Sequence, residues 1–118
     1  MVEINLNYLN ELSGGDSGFV IEMLQTYLEE TSKDIDEIKN NFTKGDLQRI
    51  SFLTHRCKAA FSMLGLQSMT DLATKIEQDA KAENAIISDF KQPIEQLSKD
   101  AFSSFEQAKE WISKLQVQ

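Results

Sequence analysis

Apolar residues recur along this chain at three- and four-residue steps, the spacing of one face of an α-helix. Leu6, Leu9 and Leu12 predict a short helix over about residues 5–12, broken by Ser13-Gly14-Gly15. Asp16 then reads as an N-cap, because its side chain can accept a bond from an unpaired first-turn N–H. The next helix is predicted over about residues 17–43. Its inward stripe is Val20, Leu24, Tyr27, Ile35, Ile38 and Phe42, with Thr31 continuing the spacing, while Glu29, Glu30, Lys33, Asp34 and Glu37 fill the other faces. Lys44-Gly45 ends it, since glycine readily takes a left-handed cap.

Asp46 opens a third long element, predicted to run to about residue 64, with Gly65 as its stop. A fourth follows over about residues 67–82, with Met69, Leu72, Ala73, Ile76 and Ala80 inward, and Glu83-Asn84 marks a turn. Ile87 and Phe90 suit a lead-in turn packed on the bundle. Pro93 suits a first helical turn, where its missing N–H costs nothing. Ile94, Leu97, Ala101, Phe105, Ala108, Ile112 and Leu115 then repeat to the end. No stretch alternates with the period of a strand. Long amphipathic helices joined by short turns predict an all-α, antiparallel up-down four-helix bundle, with the short first helix covering one end or flank.

With 118 residues, the chain is expected to form a single domain spanning residues 1–118. The formal net charge of −7 opposes binding to nucleic acid or to an anionic membrane surface. No apolar run approaches the roughly 20 residues that span a bilayer, and nothing near Met1 resembles a signal peptide. A cytoplasmic, monomeric protein is the expectation. The one cysteine, Cys57, falls on the buried stripe and reads as a small core residue. Trp111 likewise falls near the core seam.

The candidate chemistry is sparse. One histidine and one cysteine make no ligand cluster, so no metal site is expected. No glycine-rich phosphate loop is present, so no nucleotide or other cofactor is expected. His55 stands out by its place. At about 100° per residue, Ile50, Leu53, Cys57, Ala60, Phe61 and Leu64 share one stripe, and His55 points roughly opposite to it. It is predicted to face solvent beside Gln48, Ser51, Lys58 and Ser62. Lys58 lies one turn on, and Phe52, Ala59 and Met63 form an apolar strip on one side. An imidazole with a reference pKa of about 6.5 is mostly neutral, hence nucleophilic, at physiological pH. A neighbouring ammonium can stabilise charge on phosphoryl oxygens.

The stretch His55-Arg56-Cys57-Lys58-Ala59-Ala60-Phe61-Ser62-Met63-Leu64-Gly65 resembles the signature of histidine phosphotransfer domains: a histidine, a lysine three residues later, small residues, and Leu-Gly closing the helix. Leu9 through Leu24 resembles the family's opening, with Gly14-Gly15-Asp16 and then Phe19 and Met23, and Gly45-Asp46 fits upstream of the histidine helix. The resemblance covers about residues 5–82; the last helix matches only in character. It implies a four-helix bundle with His55 as phosphoacceptor, Lys58 beside the phosphoryl group, and Glu77 at the position where the family often has Gln or Glu near the histidine. Phe19, Met23 and Ala59 fall where the family docks its partners. With Phe52, Ser62 and Met63 they make the expected docking surface for receiver domains of response regulators or hybrid kinases, which would supply Mg²⁺.

The chain departs from the family at Ala59, where glycine usually follows the lysine, and more mildly at Cys57, where leucine is common. The expected function is a phosphocarrier of a multistep phosphorelay with no kinase activity of its own. The alternative is a bundle of the same fold that only binds partners, which Ala59 keeps open and the pairing of His55 with Lys58 opposes.

Overall fold

The computed structural model describes residues 2–117, and among these every regular element is helical. A short helix α1 (Asn7–Ser13) precedes α2 (Ser17–Thr26), and a π-helical turn (Tyr27–Thr31) joins α2 to α3 (Ser32–Lys44). Then come α4 (Leu47–Met63), α5 (Gln67–Ala80), a 3-10 turn (Ile87–Phe90) and the long α6 (Lys91–Gln116). The α2–α3 rod, α4, α5 and α6 pack side by side into a bundle measuring 51 × 22 × 21 Å. Turns of a few residues between neighbours enforce antiparallel order.

The caps follow from local chemistry. The Asp16 side chain accepts from the Gly18 and Phe19 amides, and Asp46 accepts from the Arg49 amide at 3.0 Å. At the end of α4, the Leu66 amide donates to the Phe61 carbonyl and the Gly65 amide to that of Ser62, which is the Schellman closure. Gly65 sits at φ +68°, and a Cβ there would stand 2.8 Å from Cβ of Asn5. The N-terminal strand of chain needs that approach, because the Asn5 amide donates to the Leu64 carbonyl at 2.9 Å.

The core is the expected stripe. Leu9, Val20, Leu24, Ile38, Ile50, Leu53, Phe61, Met69, Ile76, Leu97 and Ala101 are buried. Removing such a side chain, as in Leu97→Ala, costs about 2–5 kcal/mol through lost transfer energy and a residual cavity. Tyr27 ties three elements together. Its ring meets Phe61 edge-on at 6.4 Å, and its hydroxyl lies 2.6 Å from Oγ of Ser104 on α6. Phe90 is buried and Ile87 half-buried, so the lead-in turn packs on the bundle as expected. Trp111 is only half-buried, with Nζ of Lys114 5.1 Å over its ring.

Three expectations need correction. Leu12 is 58 % exposed: within the short α1 only Leu9 is buried, and Leu6 is buried just ahead of it. The predicted helix over residues 17–43 is interrupted by the wide turn at Tyr27–Thr31. Asp34, expected on an outer face, is buried, and Asn41 is buried as well. Each is buried with a partner, as desolvated polar groups must be. The Asn41 amide donates to the Glu37 carbonyl, and Asp34 accepts two bonds from the Arg56 guanidinium.

Candidate functional site

α4 and α5 pack closely along their length, and the site lies on their shared outer edge. The core stripe of α4 turns Leu53, Cys57 and Phe61 inward. His55 is therefore directed outward, and its side chain is 67 % exposed. Glu77 reaches it from α5. Although a carboxylate, Glu77 is only 6 % exposed.

That burial is compensated by three cationic or polar donors. Oε2 of Glu77 lies 2.9 Å from Nδ1 of His55 and 3.2 Å from Nζ of Lys81, and Oε1 lies 2.8 Å from Nζ of Lys58. The Lys58 bond, with those from Lys81 and His55, holds the Glu77 carboxyl at a pKa of about 2 against the opposing effect of burial. It is thus ionised at any physiological pH.

An ionised carboxylate can only accept a hydrogen bond. Nδ1 of His55 must donate, so the neutral form of the ring is the Nδ1–H tautomer, with its lone pair on Nε2. The arrangement orients an exposed imidazole and fixes which nitrogen can act as nucleophile. Beside it opens a cleft of about 610 Å³ lined by Gln48, Ser51, Phe52, His55, Glu77 and Lys81, among others.

The structure brings His55, Lys58 and Glu77 together. Ser51 is a correction: it is 4 % exposed rather than solvent-facing, because its hydroxyl donates to the Glu77 carbonyl at 3.3 Å across the α4–α5 seam. Ala59 and Ser62 are exposed and Met63 is half-buried on α4. Phe19 and Met23 are half-buried on α2 and do not line the cleft. Phe52 does line it, 52 % exposed. Cys57 is buried, and burial pushes its thiol up to about 12, so it stays protonated and inert.

Two contributors escaped the sequence reading. Lys81 had a signal, since it stands four residues after Glu77 on the same helical face. The Asp34–Arg56 pair had none, because it joins residues on different helices. Among the described residues, no group of histidine, cysteine and acidic side chains could hold a metal ion. No helix there is long and apolar enough to cross a membrane.

The family model of the Hpt domain matches residues 22–100. That span is more than half of the chain and includes His55, Lys58 and Glu77. The chain belongs to the Hpt domain family. Its fold is similar to the crystal structure of the HPt domain from a sensor hybrid histidine kinase of Shewanella, with a TM-score of 0.80, 18 % sequence identity and 94 % of each chain covered. No curated protein sequence matches the chain.

Proposed function

We propose that this protein is a phosphocarrier, a single bundle domain that relays a phosphoryl group on His55 between receiver-domain aspartates. The observation that carries the reading is the Glu77–His55 contact of 2.9 Å, which leaves the Nε2 lone pair on an exposed ring.

In the forward step that lone pair attacks the phosphorus of a receiver's aspartyl phosphate. The Nε2–P bond forms, the P–O bond to aspartate breaks, and the electron pair leaves with the aspartate carboxylate. Nδ1 keeps its proton throughout. The ring gains positive charge as it bonds to phosphorus, and the buried carboxylate of Glu77 is placed to offset it. Lys58, held on the other oxygen of Glu77, is a cation within one helical turn that can shift toward the phosphoryl oxygens. The reverse sequence hands the group to a second aspartate, and again no proton needs to move.

Magnesium ion held by the receiver would supply charge neutralisation on the acyl phosphate. Nothing in this scheme requires a nucleotide, in keeping with a carrier that lacks kinase activity of its own. The partner would dock over the face that carries His55, with Phe52, Ala59, Ser62 and Met63 on α4, and Phe19 and Met23 extending the contact from α2.

The test is to mix the protein with a panel of phosphorylated receivers and follow the label. Acid-labile, base-stable label on the parent and none on His55→Gln supports the proposal. Equal labelling of His55→Gln overturns it.

A further inference from the structure

Phe52 is one of the large apolar side chains left exposed in the described structure, and it lines the cleft of His55. It is not a loose surface aromatic. The guanidinium carbon of Arg49 lies 5.0 Å from its ring centroid, and that of Arg56 lies 5.3 Å away. Both distances suit cation–π stacking. Arg56 is in turn tethered to α3, and Arg49 lies near it. Nε and Nη2 of Arg56 donate to the two oxygens of buried Asp34 at 3.1 and 2.6 Å, and Nη2 of Arg49 stands 3.9 Å from Glu37.

An exposed aromatic stacked with two guanidiniums, one of them pinned by buried Asp34, has lost part of its rotamer freedom before any partner arrives. Ordering it on docking therefore costs little, which is the property of a binding hot spot. Charge points the same way. The chain has 19 acidic residues against 12 lysines and arginines, yet α4 carries Arg49, Arg56 and Lys58 and no acid. Asp34 engages the Arg56 guanidinium through two of its donor groups, which holds it beside the ring.

We propose that Phe52, stacked with Arg49 and Arg56, is the anchor of the receiver contact, and that the partner face it fits is an apolar recess bordered by carboxylate or carbonyl acceptors. This rests on the phosphotransfer reading and adds to it a specific point of attachment. Arg56 acts through Phe52 and is a positioning residue, with Asp34 as its buried foothold.

The experiment is a double-mutant cycle read by titration calorimetry of receiver domains onto the full chain. Phe52→Ala should weaken binding about tenfold or more. Arg56→Met should weaken it about three- to fivefold in the parent but hardly at all in the Phe52→Ala background, because its effect passes through the ring. Phe52→Ala binding within twofold of the parent overturns the proposal, as does an Arg56→Met loss that is equal in both backgrounds. If Arg56→Met unfolds the bundle by stranding the Asp34 charge, Asp34→Leu with Arg56→Met removes both partners and preserves the comparison. Labelling of His55 with binding indifferent to Phe52 overturns the anchor alone. Phe52-dependent binding without label on His55 overturns the phosphotransfer reading and leaves the anchor standing.

Discussion

Oε2 of Glu77 stands 2.9 Å from Nδ1 of His55, and through this contact a residue of α5 orients the ring of a residue on α4. The carboxylate is buried, ionised and shared with Lys58 and Lys81. His55 itself is mostly exposed. A buried, ionised carboxylate beneath an exposed imidazole separates what must be rigid from what must be accessible.

His55→Gln should fold and accept no label. The side chain is exposed and Glu77 keeps Lys58 and Lys81 without it, so losing the one bond to Glu77 should cost about 1 kcal/mol or less. Thermal unfolding and receiver-to-protein transfer measured on the same sample check both halves of the expectation.

Lys58→Ala should keep the fold and slow transfer by roughly tenfold, a loss of about 1.4 kcal/mol of transition-state stabilisation. The nucleophile remains, and Glu77 retains Lys81 as a cation. The quantity to measure is the rate at which label leaves a phosphorylated receiver. A rate equal to that of the parent would show that Lys58 serves only to hold Glu77.

Glu77 should contribute an acid-sensitive part of the stability. Its carboxyl is lowered from the ordinary 4.5 to about 2, chiefly by the Lys58 bond. Between those values the unfolded chain binds a proton at this position that the folded chain does not, so stability falls as pH falls through the window. The contribution is fully present above about pH 4.5 and gone below about pH 2. Urea unfolding of parent and Glu77→Gln across this range should give curves that converge toward the acid end. A constant offset between them would contradict the assignment.

Ala59→Leu should block transfer without unfolding the bundle, while Ala59→Gly should preserve or widen the range of receivers accepted. Ala59 is exposed beside Lys58, so a larger side chain meets solvent in the free protein and a partner only in the complex. If the leucine variant transfers as fast as the parent, the receiver does not dock over this part of α4.

Sequence alone determined the elements and the exposed side of the site. A periodicity of 3.6 places Ile50, Leu53, Cys57 and Phe61 inward and His55 outward, and burial in the structure follows that division. Caps at Asp16 and Asp46 were legible for the same reason: they depend on residues within a turn of each other. The nearness of Lys58 to His55 is likewise a property of one helix.

Glu77 was legible only by resemblance to a family, since nothing in its own neighbourhood announces a buried carboxylate. What made it buried, ionised and bonded to His55 is the packing of α5 against α4. Asp34 is the same case on the other side of α4, where Arg56 turns an apparent surface acid into an internal one. A helical wheel treats each charged residue as outward because isolated charge is costly to bury. Only the tertiary structure supplies the opposite charge from another helix that removes the cost, and at the site that pair is Glu77 of α5 with Lys58 of α4.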